Sequence, residues 1–353
     1  FQSAGIKYDE KIGKLKAKGL SSAIESAIGY WESNSKSLNS RVLSRYYFML
    51  QLTIAEQVSN VNNNDDLAKI QKHTEQGHGL GFIRDTSKSF PKDYFTFSLK
   101  SGHFYSYAKS LGLSPKEFSL DKRPRKFNEI GNPNLIVNID DLFRRIPELN
   151  NVIEEYIDKP PLSFSIGHSD QNMLNNEKIW EKQIAEEGSA AFKNLKRADE
   201  NSAIISFYES SKEITIDYLS KLNLPFYDYS IEEDSYNKTK RVCAKFDFNT
   251  KYWHQALDTY SSNYSSTSII APLWNNVKDP IVINFALLYT LSIIVRYLPD
   301  LWYDIKSGEL NQYGSLIEYY ISTIDHVLPL KMLSRITGTE ISIHQPGSLF
   351  GPI

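Results

Sequence analysis

The run from Ile281 to Leu298, IVINFALLYTLSIIVRYL, lies between Pro280 and Pro299 and constrains the fold more than any other segment. It is nearly long enough to cross a bilayer, which takes about 20 apolar residues. Asn284, Thr290, Ser292 and above all Arg296 interrupt it. A helix that is apolar all round yet carries such groups is expected at the centre of a protein core, with its polar side chains answered from neighbouring elements. The rest of the chain must then supply several amphipathic elements to surround it.

Periodicity supplies them. Leu20, Ala23, Ile24, Ala27, Ile28 and Trp31 follow a helical spacing of three and four within the lysine-rich segment 6–31. Asn39 and Ser40 are candidate caps for a second helix over 41–58. Phe95, Phe97 and Leu99 alternate with polar residues, and with Phe104 to Tyr107 they predict a β-hairpin turning near Gly102. Asp140 and Asp141 predict a helix start over 142–156, bent or interrupted by Pro147. Extended runs at 162–168, 203–208, 214–218 and 241–248 predict an antiparallel β-rich middle, with a helix over 176–195 and a polar acidic segment at 232–237. Helical spacing resumes at Pro280 and continues to about Lys306, ending at Gly308, and again over 310–326, with Pro329 opening a further short element.

The expected class is α+β, with N- and C-terminal helices packed as a bundle around an antiparallel β-rich middle region. The expected division sets aside residues 1–5, because Phe1-Gln2-Ser3 matches the tail of a protease-tag site. It then assigns 6–160 to an N-terminal helical region with a hairpin, 161–278 to the β-rich region, and 279–353 to C-terminal helices packed on the N-terminal ones.

Charge and cysteine content exclude several chemistries. Forty Lys+Arg against 42 Asp+Glu leave a net charge of −2, so nucleic-acid contact would have to come from a local patch. A single cysteine rules out an internal disulfide and a cysteine-based zinc site. With no export signal in the sequence, a cytoplasmic location is expected. No metal site, cofactor motif or hydrolase elbow is found: the histidines are scattered, and Asp300, Asp304 and Lys306 lie together on one expected helix, unlike a metal-nuclease arrangement.

Three stretches carry a family resemblance. They are Arg41 to Leu52 (RVLSRYYFMLQL) with Gly77-His78-Gly79 downstream, Leu142 to Leu149 (LFRRIPEL), and Leu288 to Trp302 (LYTLSIIVRYLPDLW). Together they resemble the YaaC-like family of bacterial proteins. The resemblance implies a mostly helical protein, and a link to the HEPN superfamily of bacterial stress and anti-phage systems. It transfers no established activity. Active HEPN ribonucleases place Arg and His four to six residues apart on a helix; here the nearest such pair, Arg335 and His344, has eight residues between, so the motif is absent.

Several residues remain as candidates for chemistry. Arg296, near the end of the apolar helix, needs a partner: a carboxylate, terminal helix carbonyls, or a ligand phosphate or carboxylate. Arg41 and Arg45 share a helix face and form either an anion clamp or a salt-bridged face. Gly77-His78-Gly79-Leu80-Gly81 lacks the context of a phosphate loop and reads as a flexible turn, with His78 near Arg84 and Asp85 as an acid/base candidate. Lys122, Arg123, Arg125 and Lys126 form a basic loop that either is simply solvated or engages nucleic acid.

The expected function is a cytoplasmic binding or regulatory component of the YaaC-like type, with a role in stress or anti-phage defence implied by the resemblance. Arg41, Arg45, His78 and Arg296 are its ligand candidates, and its partner is a protein or small anionic ligand, with a homo-oligomer also open. The alternative is a HEPN-like nuclease with an unusual Arg/His site. No cofactor and no membrane association are expected.

Overall fold

The computed structural model describes residues 9–33, 37–193, 195–196, 201–208, 214–233, 238–250 and 253–341. The tag-like residues 1–5, part of the acidic segment and His344 lie outside them. The fold is α+β, with helices at both ends and antiparallel sheets between them. Residues cluster into two units: 1–143 with 273–353, and 144–272.

The first unit opens with α1 (Glu10–Trp31), α2 (Leu38–Ser59) and α3 (Leu67–Glu75). Strands β1 (Leu80–Arg84) and β2 (Tyr94–Leu99), helix α4 (His103–Ser110), short strands β3 (Ser119–Leu120) and β4 (Ile136–Asn138), and helix α5 (Ile139–Phe143) follow. Strand β1 runs antiparallel to β2, pairing Leu80 with Ser98 and Arg84 with Tyr94. The other edge of β2 is shared by β3, parallel, and β4, antiparallel.

The second unit carries α6 (Ile153–Ile157), β5 (Ser163–His168), α7 (Asp170–Glu187), β6 (Ser202–Phe207), α8 (Ile216–Ser220), β7 (Tyr227–Glu233), β8 (Lys240–Asp247), β9 (Tyr260–Ser262) and β10 (Ser265–Ile270). Its strands form one antiparallel sheet in the order β7-β8-β6-β5-β10-β9. Phe164, Ile205, Phe207, Phe246 and Leu219 build a core of its own.

The chain returns to the first unit with α9 (Pro280–Tyr297), α10 (Pro299–Ser307) and α11 (Asn311–Thr337). Helix α9 starts where Asp279 accepts hydrogen bonds from the Ile281 and Val282 amides, the arrangement that satisfies otherwise orphaned donors. It is buried on nearly every face from Ile281 to Ser292 and packs on α2, α5 and β1. Its polar interruptions are answered from within the unit. Tyr320 Oη donates to Asn284 Oδ1 at 2.8 Å, Thr290 Oγ1 lies 2.6 Å from Thr96 Oγ1, and Ser292 Oγ donates to the Tyr289 carbonyl.

Several boundaries differ from the sequence expectation. The cap of α2 is Ser37 rather than Asn39 or Ser40, and Asn39 instead accepts the indole N–H of Trp302. The hairpin is β1–β2, not a turn at Gly102: His103, Phe104, Tyr107 and Ala108 are buried along one face of α4, a helical spacing that the short aromatic run conceals. Residues 214–218 contribute to α8, capped by Thr215, rather than to a strand. The helix expected over 142–156 divides into α5 and α6 around a turn at Pro147, and the one expected over 280–306 breaks at Pro299. Both breaks follow from the missing proline N–H and the restriction proline places on the residue before it. Pro329, by contrast, sits inside α11.

Candidate functional site

The site forms where the Gly77–Gly79 turn meets the C-terminal part of α9. Gly77 and Gly79 have φ of 102° and 77°, and Gly102, facing them, has φ of 89°. The amides of His103 and Phe104 donate to the carbonyls of Gly77 and His78. A Cβ on Gly102 would come within 2.6 Å of both the Gly77 oxygen and the Gly79 nitrogen. The turn is therefore held rigidly against the start of α4, and it presents His78 towards α2 and α9.

His78 Nδ1 lies 2.7 Å from the hydroxyl of Tyr46, a fully buried residue of α2. Its ring also packs against Tyr289 of α9, with centroids 6.0 Å apart. Burial lowers the His78 pKa, and the positive charges of Arg296 and Arg123 lower it further. The imidazole is thus neutral at physiological pH. Burial raises the Tyr46 and Tyr289 hydroxyl pKa values, so both keep their protons.

Arg296 donates from Nε to the Ser292 carbonyl at 3.0 Å and from Nη2 to Ser292 Oγ at 3.1 Å. Its Nη1 reaches the Tyr47 hydroxyl at 3.5 Å, and the guanidinium lies 5.1 Å from the ring of Tyr297. Helix carbonyl and hydroxyl groups therefore orient the charge without neutralising it. Arg123 folds back from the basic loop to the Leu80 carbonyl, at 3.4 Å, where Tyr289 Oη also donates. Among the described residues, no carboxylate pairs with Arg123 or Arg296.

The four ligand candidates do not converge. His78 and Arg296 share the site, whereas Arg41 and Arg45 belong to a separate ion pair. Arg45 donates to Asp325 of α11 through Nε at 2.5 Å and Nη2 at 3.2 Å, and its guanidinium lies 4.2 Å from the ring of Trp31. Arg41 Nη2 is 3.6 Å from the same carboxylate. Of the two readings of this pair, the contacts match the salt-bridged face, because a carboxylate from a distant helix neutralises it. All four cations of the basic loop, Lys122, Arg123, Arg125 and Lys126, are exposed, and only Arg123 reaches back to the Leu80 carbonyl near His78. Arg84 and Asp85 serve other partners: Arg84 pairs with Asp93, and Asp85 with Lys88 and Ser87. The Gly77–Gly81 segment is a turn that runs directly into β1.

Sequence reasoning missed Tyr46, Tyr47, Tyr289 and Ser292, and assigned Arg123 to a different chemistry. No local pattern marks them, since they come together only when α2, α9 and the basic loop pack on the turn. No group of three or more metal-ligating side chains occurs among the described residues.

The architecture defines a helical unit with a basic, tyrosine-framed patch, alongside a separate antiparallel β unit. The sequence profile of the YaaC-like Protein family matches residues 2–336, and the chain belongs to that family. No curated protein and no solved structure matches it.

Proposed function

We propose that this YaaC-like protein is a binding or regulatory component that recognises a small anionic ligand at the patch formed by His78, Arg123 and Arg296. One observation carries the reading: two guanidinium groups flank a neutral histidine, and among the described residues no carboxylate neutralises either. A guanidinium matches the geometry of phosphate or carboxylate oxygens. The neutral imidazole and the Tyr47 hydroxyl add groups that orient such an anion without repelling it, while the Tyr46 and Tyr289 hydroxyls are used to hold the imidazole and the start of β1 in place. A role in the bacterial cytoplasm, in stress or anti-phage defence, rests on the family resemblance alone.

Calorimetric titration with pyrophosphate and with ATP tests this. Saturable binding is expected, weakened at least tenfold, about 1.4 kcal/mol, in Arg296→Ala and in Arg123→Ala, with the fold retained. Absence of binding to both probes, or unchanged affinity in both variants, would remove the proposal.

A nuclease is the second reading, and a specific contact favours it. The Tyr46–His78 hydrogen bond orients an acid/base group beside an arginine from another helix, so an Arg/His pair is assembled by the fold without the helical spacing. Incubation with labelled RNA and DNA, with and without divalent metal, separates the two. Cleavage lost in His78→Ala would replace the binding-only reading.

A further inference from the structure

A second site lies elsewhere in the first unit. The loop after α2 and the outer face of α4 enclose a cleft of about 550 Å³, within the ~300–1,000 Å³ typical of small-molecule sites. The loop is held in shape from below. The buried Lys16 ammonium donates to the Asn60 carbonyl at 2.9 Å and to the Asn63 carbonyl. Asn60 Oδ1 accepts the Asn62 amide, Asn63 Oδ1 accepts the Asp65 amide, and Asn60 Nδ2 reaches across to the Ser110 carbonyl. Asn60 and Asn63 therefore build the loop, and neighbouring side chains are left to face the cleft.

Those side chains are mostly uncharged. Asn62, Asn64, Gln76 and Tyr105 line the cleft, and their side chains make no hydrogen bond to another described residue. The ionised groups around them are largely neutralised locally: Lys100 pairs with Asp121 at 2.6 Å and Asp65 with Lys69 at 3.5 Å. Lys109 alone leaves an ammonium on this wall without a carboxylate among the described residues. Each carboxamide offers a donor and an acceptor side by side. Adjacent hydroxyl groups on a ring require that pairing, while a phenol ring beside them suits the ring's C–H face.

We infer that this cleft binds a neutral polyhydroxylated ligand, a mono- or oligosaccharide, through Asn62, Asn64 and Gln76, with Tyr105 as the stacking surface. A site built to hydrogen-bond hydroxyls discriminates strongly against ligands lacking them. The inference is independent of the anion patch.

Saturation-transfer NMR on the full chain tests it, with D-glucose, N-acetyl-D-glucosamine, maltose and cellobiose as probes and glucose 6-phosphate and inorganic phosphate as charged comparators. At least one neutral sugar is expected to bind saturably. Its affinity should fall at least tenfold in Tyr105→Ala and in the surface-loop double variant Asn62→Ala/Asn64→Ala, and stay unchanged in Arg296→Ala. Circular dichroism confirms that each variant is folded. The inference fails if no neutral sugar binds, if only the phosphorylated comparators bind, or if binding survives in both cleft variants.

Discussion

His103 shows how burial at one position sets a pH response. It is fully buried against Thr53, its Nε2 lying 2.8 Å from Thr53 Oγ1, and burial lowers its pKa to about 3. An unfolded imidazole titrates near 6.5. Between those values the unfolded chain binds more protons, so the contribution of His103 is complete above about pH 6.5 and is lost as pH falls towards 3. The slope is at most about 1.4 kcal/mol per pH unit, and the lowered pKa of His78 acts in the same direction. Urea midpoints measured from pH 7 to pH 5 should fall, and His103→Gln should flatten the decline. A second residue-level prediction concerns Asp325. Its removal leaves the buried Arg45 guanidinium without a carboxylate, and stranding a buried charge costs roughly 3 kcal/mol. Asp325→Ala should therefore lower denaturant stability by about that amount while leaving pyrophosphate binding intact. Equal loss of both would show that Arg45 belongs to the ligand site after all.

At the scale of elements, the contact between the Gly77–Gly79 turn and the start of α4 is where sequence and structure diverge most. Gly102 was legible as a turn residue, but as one within a hairpin. Its actual role is to let the α4 N-terminus approach another turn, at a positive φ and with no room for a Cβ. Gly102→Ala should cost roughly 1–3 kcal/mol from backbone strain alone, plus the steric clash, and it should weaken anion binding by displacing His78. Thermal melts and the titration described above measure the two effects separately. Local periodicity failed here because α4 is short and two of its aromatics also fit an alternating pattern. It failed again at 214–218, where β-branched Ile214 and Thr215 suggested a strand, yet Thr215 caps a helix by accepting the Tyr218 amide. In α11 the expectation of a break at Pro329 was overridden, and burial of Val327, Leu328 and Met332 on either side accompanies the continuous helix.

At the scale of the molecule, each unit carries its own buried core. The second unit begins and ends close together: the Arg144 carbonyl accepts the Leu162 amide, the Leu162 carbonyl accepts the Ala271 amide, and Arg145 donates to the Ala271 and Pro272 carbonyls. With one six-stranded sheet and its own aromatic core, the segment 144–272 expressed alone is expected to melt cooperatively with a β-rich circular dichroism spectrum. A spectrum of a disordered chain would refute this. The apolar run from Ile281 to Leu298, its proline boundaries, the α+β class and the need for something to answer Arg296 were all determined by the sequence, because they depend on composition and spacing within one element. The grouping of His78 with Arg123 and Arg296, the diversion of Arg41 and Arg45 to Asp325, and the amide-lined cleft were decided only by tertiary structure. Each joins side chains far apart in the chain, and whether a charge is neutralised or left for a ligand depends on which distant residue packing brings beside it.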